Sequence, residues 1–300
     1  MRLIESIKLN LFQDFISDLL QLTKFRLSIS VVCSSIAGYF LAVDNVNYSS
    51  LILLSLGGFS MVASSNTFNQ WIEKEQDRLM NRTKNRPLPS GRIKDNTALL
   101  IGSIFLFIGI ILLYQINVKT VFFSALSVFV YACLYTPLKK RTPLAVFVGA
   151  FPGAIPFMLG WVAATNKFGV EPGVLFLIQF IWQFPHFWAI GWVMHDDYKK
   201  AGFKLLPSGE KDQASSFQIV FYTFWMILFS LIPATNYTGS LFLSIPAAIC
   251  IGFLGIIMLY FSISLMSLRN DNAAKKLITS SIVYITLLQL IFVIDKFISI

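Results

Sequence analysis

Charge is scarce in this chain. Of 300 residues only 13% are Asp, Glu, Lys or Arg, against about 25% in a soluble domain. So few ionic groups cannot cover a water-facing surface. With 56% hydrophobic residues and a mean hydropathy of +0.69, the chain reads as an integral membrane protein. Cysteine is scarcer still. Cys33, Cys133 and Cys250 sit inside apolar runs without a CxxC pair, which excludes a disulfide framework and leaves three small packing residues. Low-complexity tracts and strong short repeats are missing, and the composition does not shift. Residues 1–300 therefore read as a single membrane domain. Residues 1–22 lack the short apolar core of a signal peptide and are too acidic for a transit peptide, so a polar cytoplasmic tail is expected.

Long apolar runs are what the chain has. Nine reach the roughly 20 residues that a spanning helix needs: Leu27–Val43, Leu51–Trp71, Ala98–Tyr114, Val118–Tyr135, Leu144–Ala164, Gly173–Val193, Phe217–Ala234, Leu241–Leu265 and Leu277–Ile294. The first, third and last read as short or interrupted. The expected fold is an all-α bundle of nine transmembrane helices. The net charge of +9 invites a nucleic-acid reading, but its distribution answers that. Of 24 Lys and Arg, 21 fall in the N-terminal tail and the loops after spans 2, 4, 6 and 8, leaving Lys119, Lys167 and Lys296 on the other side. This positive-inside bias places the N-terminus in the cytoplasm and the C-terminus outside, with the lipid bilayer rather than nucleic acid as partner. A bacterial inner membrane is expected ahead of a mitochondrial one.

Eight of the 15 acids lie in just two of those loops, which are rich in both signs of charge. After span 2 come Asn69, Glu73 and Asp77 at i, i+4 and i+8. If the helix runs on past Trp71 they share one face, with Asn66 near the same stripe. Carboxylates one turn apart repel unless a cation lies between them. Mg²⁺ binds through one or two carboxylates plus substrate phosphates. Arg82, Lys84 and Arg86 follow at once, and arginine forks fit phosphate oxygens. The stripe suits a magnesium–diphosphate clamp; read structurally, it is a solvated helix end with ordinary positive-inside charge. Pro87 and Pro89 end any helix there.

The loop after span 6 repeats the chemistry. His195, Asp196, Asp197, Lys199 and Lys200 follow an aromatic span, as a second half-site requires; a plain polar loop is the competing reading. His186 lies about nine residues earlier, inside that span. An ionisable group at such depth faces the protein interior, as a ligand for a bound group or as a packed, hydrogen-bonded histidine. Lys139, Lys140 and Arg141, after span 4, either reach a diphosphate or only set topology. Gly149, Gly153 and Gly160 in span 5 allow close helix approach or room for a flat ligand.

Taken together, these segments resemble the UbiA superfamily of intramembrane prenyltransferases, whose first motif is NxxxDxxxD and whose second is an acid-rich loop after span 6. Within it, NQWIEKEQDRLMNRTKNRPLPSG, YTPLKKRTPLAVFVGAFPGAIPFMLGW and WQFPHFWAIGWVMHDDYKKAGFKLLP look like the haem O synthase branch. The likeness runs from about Leu22 to the C-terminus. Glu73 stands where the superfamily has aspartate, and Phe25 replaces a proline in the start motif, LTKFRLSISVV. The resemblance implies a central cavity open to lipid and a farnesyl transfer from farnesyl diphosphate to haem b. It implies Mg²⁺ on Asn69, Glu73, Asp77, Asp196 and Asp197. It implies diphosphate on Lys24, Arg82, Lys84, Arg86, Lys139, Lys140 and Lys200, and haem at His186. An association with haem A synthase or terminal oxidase assembly is an expectation of the same origin.

Three readings compete. A sibling prenyltransferase would use a quinone-precursor aromatic acid or a chlorin. A transporter would carry charges near the bilayer midplane, whereas here they sit at the helix ends. A haem-handling assembly protein would need no diphosphate clamp.

Overall fold

The computed structural model describes residues 13–235 and 237–299, with the side chain of Ser299 outside the description. Residues 1–12 of the expected N-terminal tail lie outside the described residues. The remainder of that tail is structured: residues 13–22 are helical, Leu22 is buried against Leu88, Ile93 and Ala98, and Arg92 pairs with Asp18 at 2.9 Å.

Helices dominate because a backbone in hydrocarbon must satisfy its own polar groups. In order they are α1 (Phe25–Ala42), α2 (Tyr48–Ile72), the short α3 (Lys74–Leu79), α4 (Asp95–Tyr114) and α5 (Val118–Phe129). A π-helical stretch, Val130–Tyr135, extends α5. There follow α6 (Ala145–Thr165), α7 (Val170–Val193), the short α8 (His195–Lys200), α9 (Gln213–Ser230), α10 (Ile245–Leu268) and α11 (Asp271–Ser299). Among the described residues no strand occurs, and nine helices are long and apolar enough to cross a membrane. The run expected to be short at the C-terminus is the longest helix, 29 residues. The span expected from Leu241 starts at Ile245, because Ser244 caps it through the Ala247 amide.

The helices close into a ring. Neighbours in the chain pack in order, and α11 returns to α1 and α7. Helix α6 is the most enclosed, while α4 and α10 turn Ile104, Phe107, Ile111, Phe253 and Ile256 outward, as lipid contact requires. Close approach explains the span 5 glycines. A methyl on Gly160 would overlap the Ser35 carbonyl of α1, one on Gly38 would overlap the Phe157 carbonyl of α6, and one on Gly153 would overlap the Gln183 amide. Pro156 lacks the N–H that would bond the Pro152 carbonyl, and the Ser127 hydroxyl donates to that oxygen instead, at 3.2 Å. A cavity of about 480 Å³ remains between α1, α2, α5, α6 and α7.

Candidate active site

The charged end of the cavity starts where α2 breaks. Glu73 leaves helical geometry (φ −93°, ψ 10°), so the expected continuous helix is a helix, a break and the short α3. The i to i+4 hydrogen bonds persist through it. Glu73 N–H donates to Asn69 O at 3.0 Å and Asp77 N–H to Glu73 O at 2.8 Å. The stripe therefore survives: Asn69, Glu73 and Asp77 all line the cavity and all are buried.

Each member has a cationic partner. Lys139 Nζ lies 2.7 Å from Glu73 Oε1 and donates to Oε2 at 3.0 Å. Arg86 donates to Asp77 Oδ2 at 2.8 Å. Lys24 donates to Asn69 Oδ1 at 3.3 Å, and Asn69 Nδ2 donates to Thr136 Oγ1 at 3.0 Å. Lys24 adopts a left-handed conformation (φ 47°) at the head of α1, which costs a lysine roughly 1–2 kcal/mol. Its side chain nonetheless reaches the cavity. Burial, then the nearby Arg86 and Lys139 charges, push its ammonium pKa down to about 7. Burial also opposes the Lys139 charge, but Glu73 outweighs it and the Lys139 pKa is raised. Arg82 completes the cationic lining. Cations outnumber carboxylates here, so the site is built for an anion.

The π-helical stretch turns Tyr131 and Tyr135 into the cavity beside this group. Lys139 Nζ sits 4.5 Å from the Tyr135 ring centroid and 5.4 Å from that of Phe203. Local π geometry recurs at functional positions. Sequence reasoning missed both tyrosines, although their i, i+4 spacing just before the basic triplet was a usable signal. It also missed Thr136, Tyr198 and Phe203. Asn66 lines the cavity while donating to Thr23 O and Ser28 Oγ, both at 3.3 Å. Below the charged end the walls are largely apolar, with Leu27, Val31, Val32, Met61, Ile155 and Leu159, and the Gln183 amide and a few serines interrupt them.

Other expected site residues fall elsewhere. Lys84, Lys140, Lys200 and Asp196 are exposed and do not line the cavity. Asp197 stands at its rim, accepting from the Arg82 amide at 3.4 Å and from Lys200 Nζ at 3.2 Å. Burial raises its pKa slightly, but these hydrogen bonds win and lower it. His195, expected at the interface, faces Glu210 at 3.1 Å. His186 turns to α11, where its Nδ1 meets Ser281 Oγ at 2.7 Å, and its ring stacks on Trp182 of its own helix. It is no part of the cavity lining.

Among the described residues no three His, Cys, Asp or Glu side chains form a metal cluster. The stripe presents two carboxylates, Glu73 and Asp77, and the Asn69 amide to the cavity. That set is too sparse for an all-protein cage, and it fits Mg²⁺, which keeps waters and takes phosphate oxygens.

Residues 31–288 match the family model of UbiA prenyltransferases. The chain is 56% identical over 285 residues to the protoheme IX farnesyltransferase of Christiangramia forsetii, covering 95% of each. It is 54% identical to that of Flavobacterium johnsoniae, covering 93% of this chain and 94% of the relative. Among solved structures, a digeranylgeranylglyceryl phosphate synthase superposes with a TM-score of 0.77 at 23% identity, covering 93% of this chain and 98% of that one. A UbiA homologue from Archaeoglobus fulgidus, bound to DMAPP and Mg²⁺, gives 0.69 at 15% identity, covering 90% and 99%.

Proposed function

The chain belongs to the UbiA prenyltransferase family, and on that premise we propose that it transfers the farnesyl group of farnesyl diphosphate to a vinyl group of haem b, giving haem O and diphosphate. The carrying observation is the buried Asn69, Glu73 and Asp77 stripe, faced by Lys24, Arg82, Arg86 and Lys139, at the charged end of an apolar cavity.

The residues divide the work. Lys24, Arg82, Arg86 and Lys139 hold the diphosphate oxygens, with Arg86 and Lys139 moving from carboxylate to phosphate as the substrate arrives. Asn69, Glu73 and Asp77, with Asp197 at the rim, hold Mg²⁺. When bound, the metal neutralises the charge that builds on the leaving diphosphate. Asp196, Lys84, Lys140 and Lys200 lie outside this first layer and draw the anionic substrate toward the mouth. Leu27, Val31, Val32, Met61, Ile155 and Leu159 take the prenyl chain and keep water from the allylic carbon. The rings of Tyr131 and Tyr135 shelter the allylic cation by cation–π attraction.

As the C–O bond to diphosphate breaks, the vinyl carbon forms the new C–C bond. Water then adds to the neighbouring carbon as hydroxyl and loses a proton. His186, held by Ser281, steadies the α7–α11 contact, and haem approaches from the cavity side of α7. The enzyme spans the bacterial inner membrane with its charged loops in the cytoplasm. Its product is handed on within the membrane to haem A synthase or to terminal oxidase assembly.

The test is a mass-spectrometric haem profile of membranes expressing the protein, supplied with haem b, farnesyl diphosphate and Mg²⁺. Hydroxyethylfarnesyl haem that vanishes with EDTA is the expected result. Prenylation of 4-hydroxybenzoate or a naphthoate without any haem product would move the protein to a sibling activity.

A further inference from the structure

A second concavity, about 440 Å³, lies between α10 and α11 and shares no lining residue with the site above. Leu254, Ile257, Phe261 and Val283 form its apolar part, and the fully buried Tyr284 its floor. Lys275 and Lys276 stand at its mouth, at the same end of the bundle as the charged loops. Neither lysine makes an ion pair among the described residues. The acid one turn before Lys275, Asp271, is already taken by Lys211 at 2.8 Å. The hydroxyls of Thr279 and Ser280 donate to the carbonyls of Lys275 and Leu277, so the two ammoniums are the groove's remaining charged donors.

From this geometry we infer that the groove binds an anionic phospholipid of the same leaflet. Its phosphate sits on Lys275 and Lys276, and one acyl chain lies along Leu254, Ile257, Phe261 and Val283. Two features favour this occupant over a protein helix. The paired cations stand at headgroup depth while the groove below is mostly apolar, with the Thr279 and Ser280 hydroxyls turned back onto their own helix, the amphipathic profile of a lipid. Ile257 and Val283 of the groove are also exposed within apolar spanning helices, where lipid is the solvent. The inference does not depend on which reaction the other cavity performs.

Native mass spectrometry of the full-length protein, equilibrated with phosphatidylglycerol and phosphatidylethanolamine, tests it. The wild type should retain phosphatidylglycerol in preference to phosphatidylethanolamine. The double substitution Lys275→Gln with Lys276→Gln should lower that retention roughly tenfold or more. Lys94→Gln with Lys199→Gln, which removes two charges from the same end but not from the groove, should leave it intact. Val283→Trp, which fills the groove and keeps both lysines, should also abolish retention and decides the matter if the lysine variant does not fold. Equal retention of both lipids by the wild type, or wild-type retention by Val283→Trp, would overturn the inference.

Discussion

Glu73 carries one methylene more than an aspartate, and it spans to Lys139, whose ammonium donates to Oε2 and lies 2.7 Å from Oε1. The pair is buried, so removing one partner strands a charge. Lys139→Met should lower stability by about 3 kcal/mol and weaken diphosphate binding as well. A thermal melt in detergent checks the first, and an unchanged midpoint would refute the buried-pair account. Asp77→Asn should leave the protein folded in the membrane while cutting turnover at least a hundredfold; wild-type rates at saturating Mg²⁺ would remove Asp77 from the metal site. The acids of this stripe were legible because i, i+4 spacing survives a helix break that keeps its hydrogen bonds. The cations were less so. Lys139 and Lys140 are neighbours in sequence, yet only Lys139 turns inward. That choice depends on how α5 ends in its π-helical stretch, which a count of charges does not reveal. The placement of His186 shows the same limit. Its burial was legible, but its partner Ser281 lies 95 residues away, so the direction of its ring was not.

Helices here meet through glycine. The α1–α6 contact places Gly38 and Gly160 backbone to backbone, and Gly160→Ala should push the helices apart at a cost of about 1–3 kcal/mol. A melting midpoint equal to wild type would show that the contact has slack. Gly58 of α2 behaves differently. It lines the cavity, and a methyl there meets only Val32, at 3.9 Å. Gly58 lies fifteen residues before Glu73 on a helix rising about 1.5 Å per residue, so it is far below the charged end. Gly58→Leu should therefore shorten the prenyl chain accepted, favouring geranyl over farnesyl diphosphate in competition; an unchanged preference would place the chain elsewhere. The existence of all nine spans could be read from apolar run length. Some ends could too, such as Tyr114, Val118 and Val193; others could not, since caps such as Ser244 and docked polar segments such as residues 13–22 depend on contacts across the bundle.

At the scale of the molecule, one end of the bundle collects nearly all the charge, and the cavity opens toward that end. The positive-inside bias predicts an experiment on orientation. In a cysteine-free background, a membrane-impermeant maleimide added to intact cells should label Lys167→Cys but not Lys94→Cys. The reverse pattern would invert the topology. Charged loops, apolar cavity and lipid-facing helices together place a water-soluble leaving group and a membrane-soluble chain at one boundary, which is what joining farnesyl to haem requires.

The central claim is that the stripe and its cations form one metal–diphosphate site. Isothermal titration of the purified protein with farnesyl thiodiphosphate, an unreactive analogue, tests it directly. Binding in Mg²⁺ should weaken at least tenfold when EDTA replaces the metal, and Asp77→Asn in Mg²⁺ should behave like the wild type in EDTA. Equal affinity with and without Mg²⁺, unaltered by Asp77→Asn, would contradict the account.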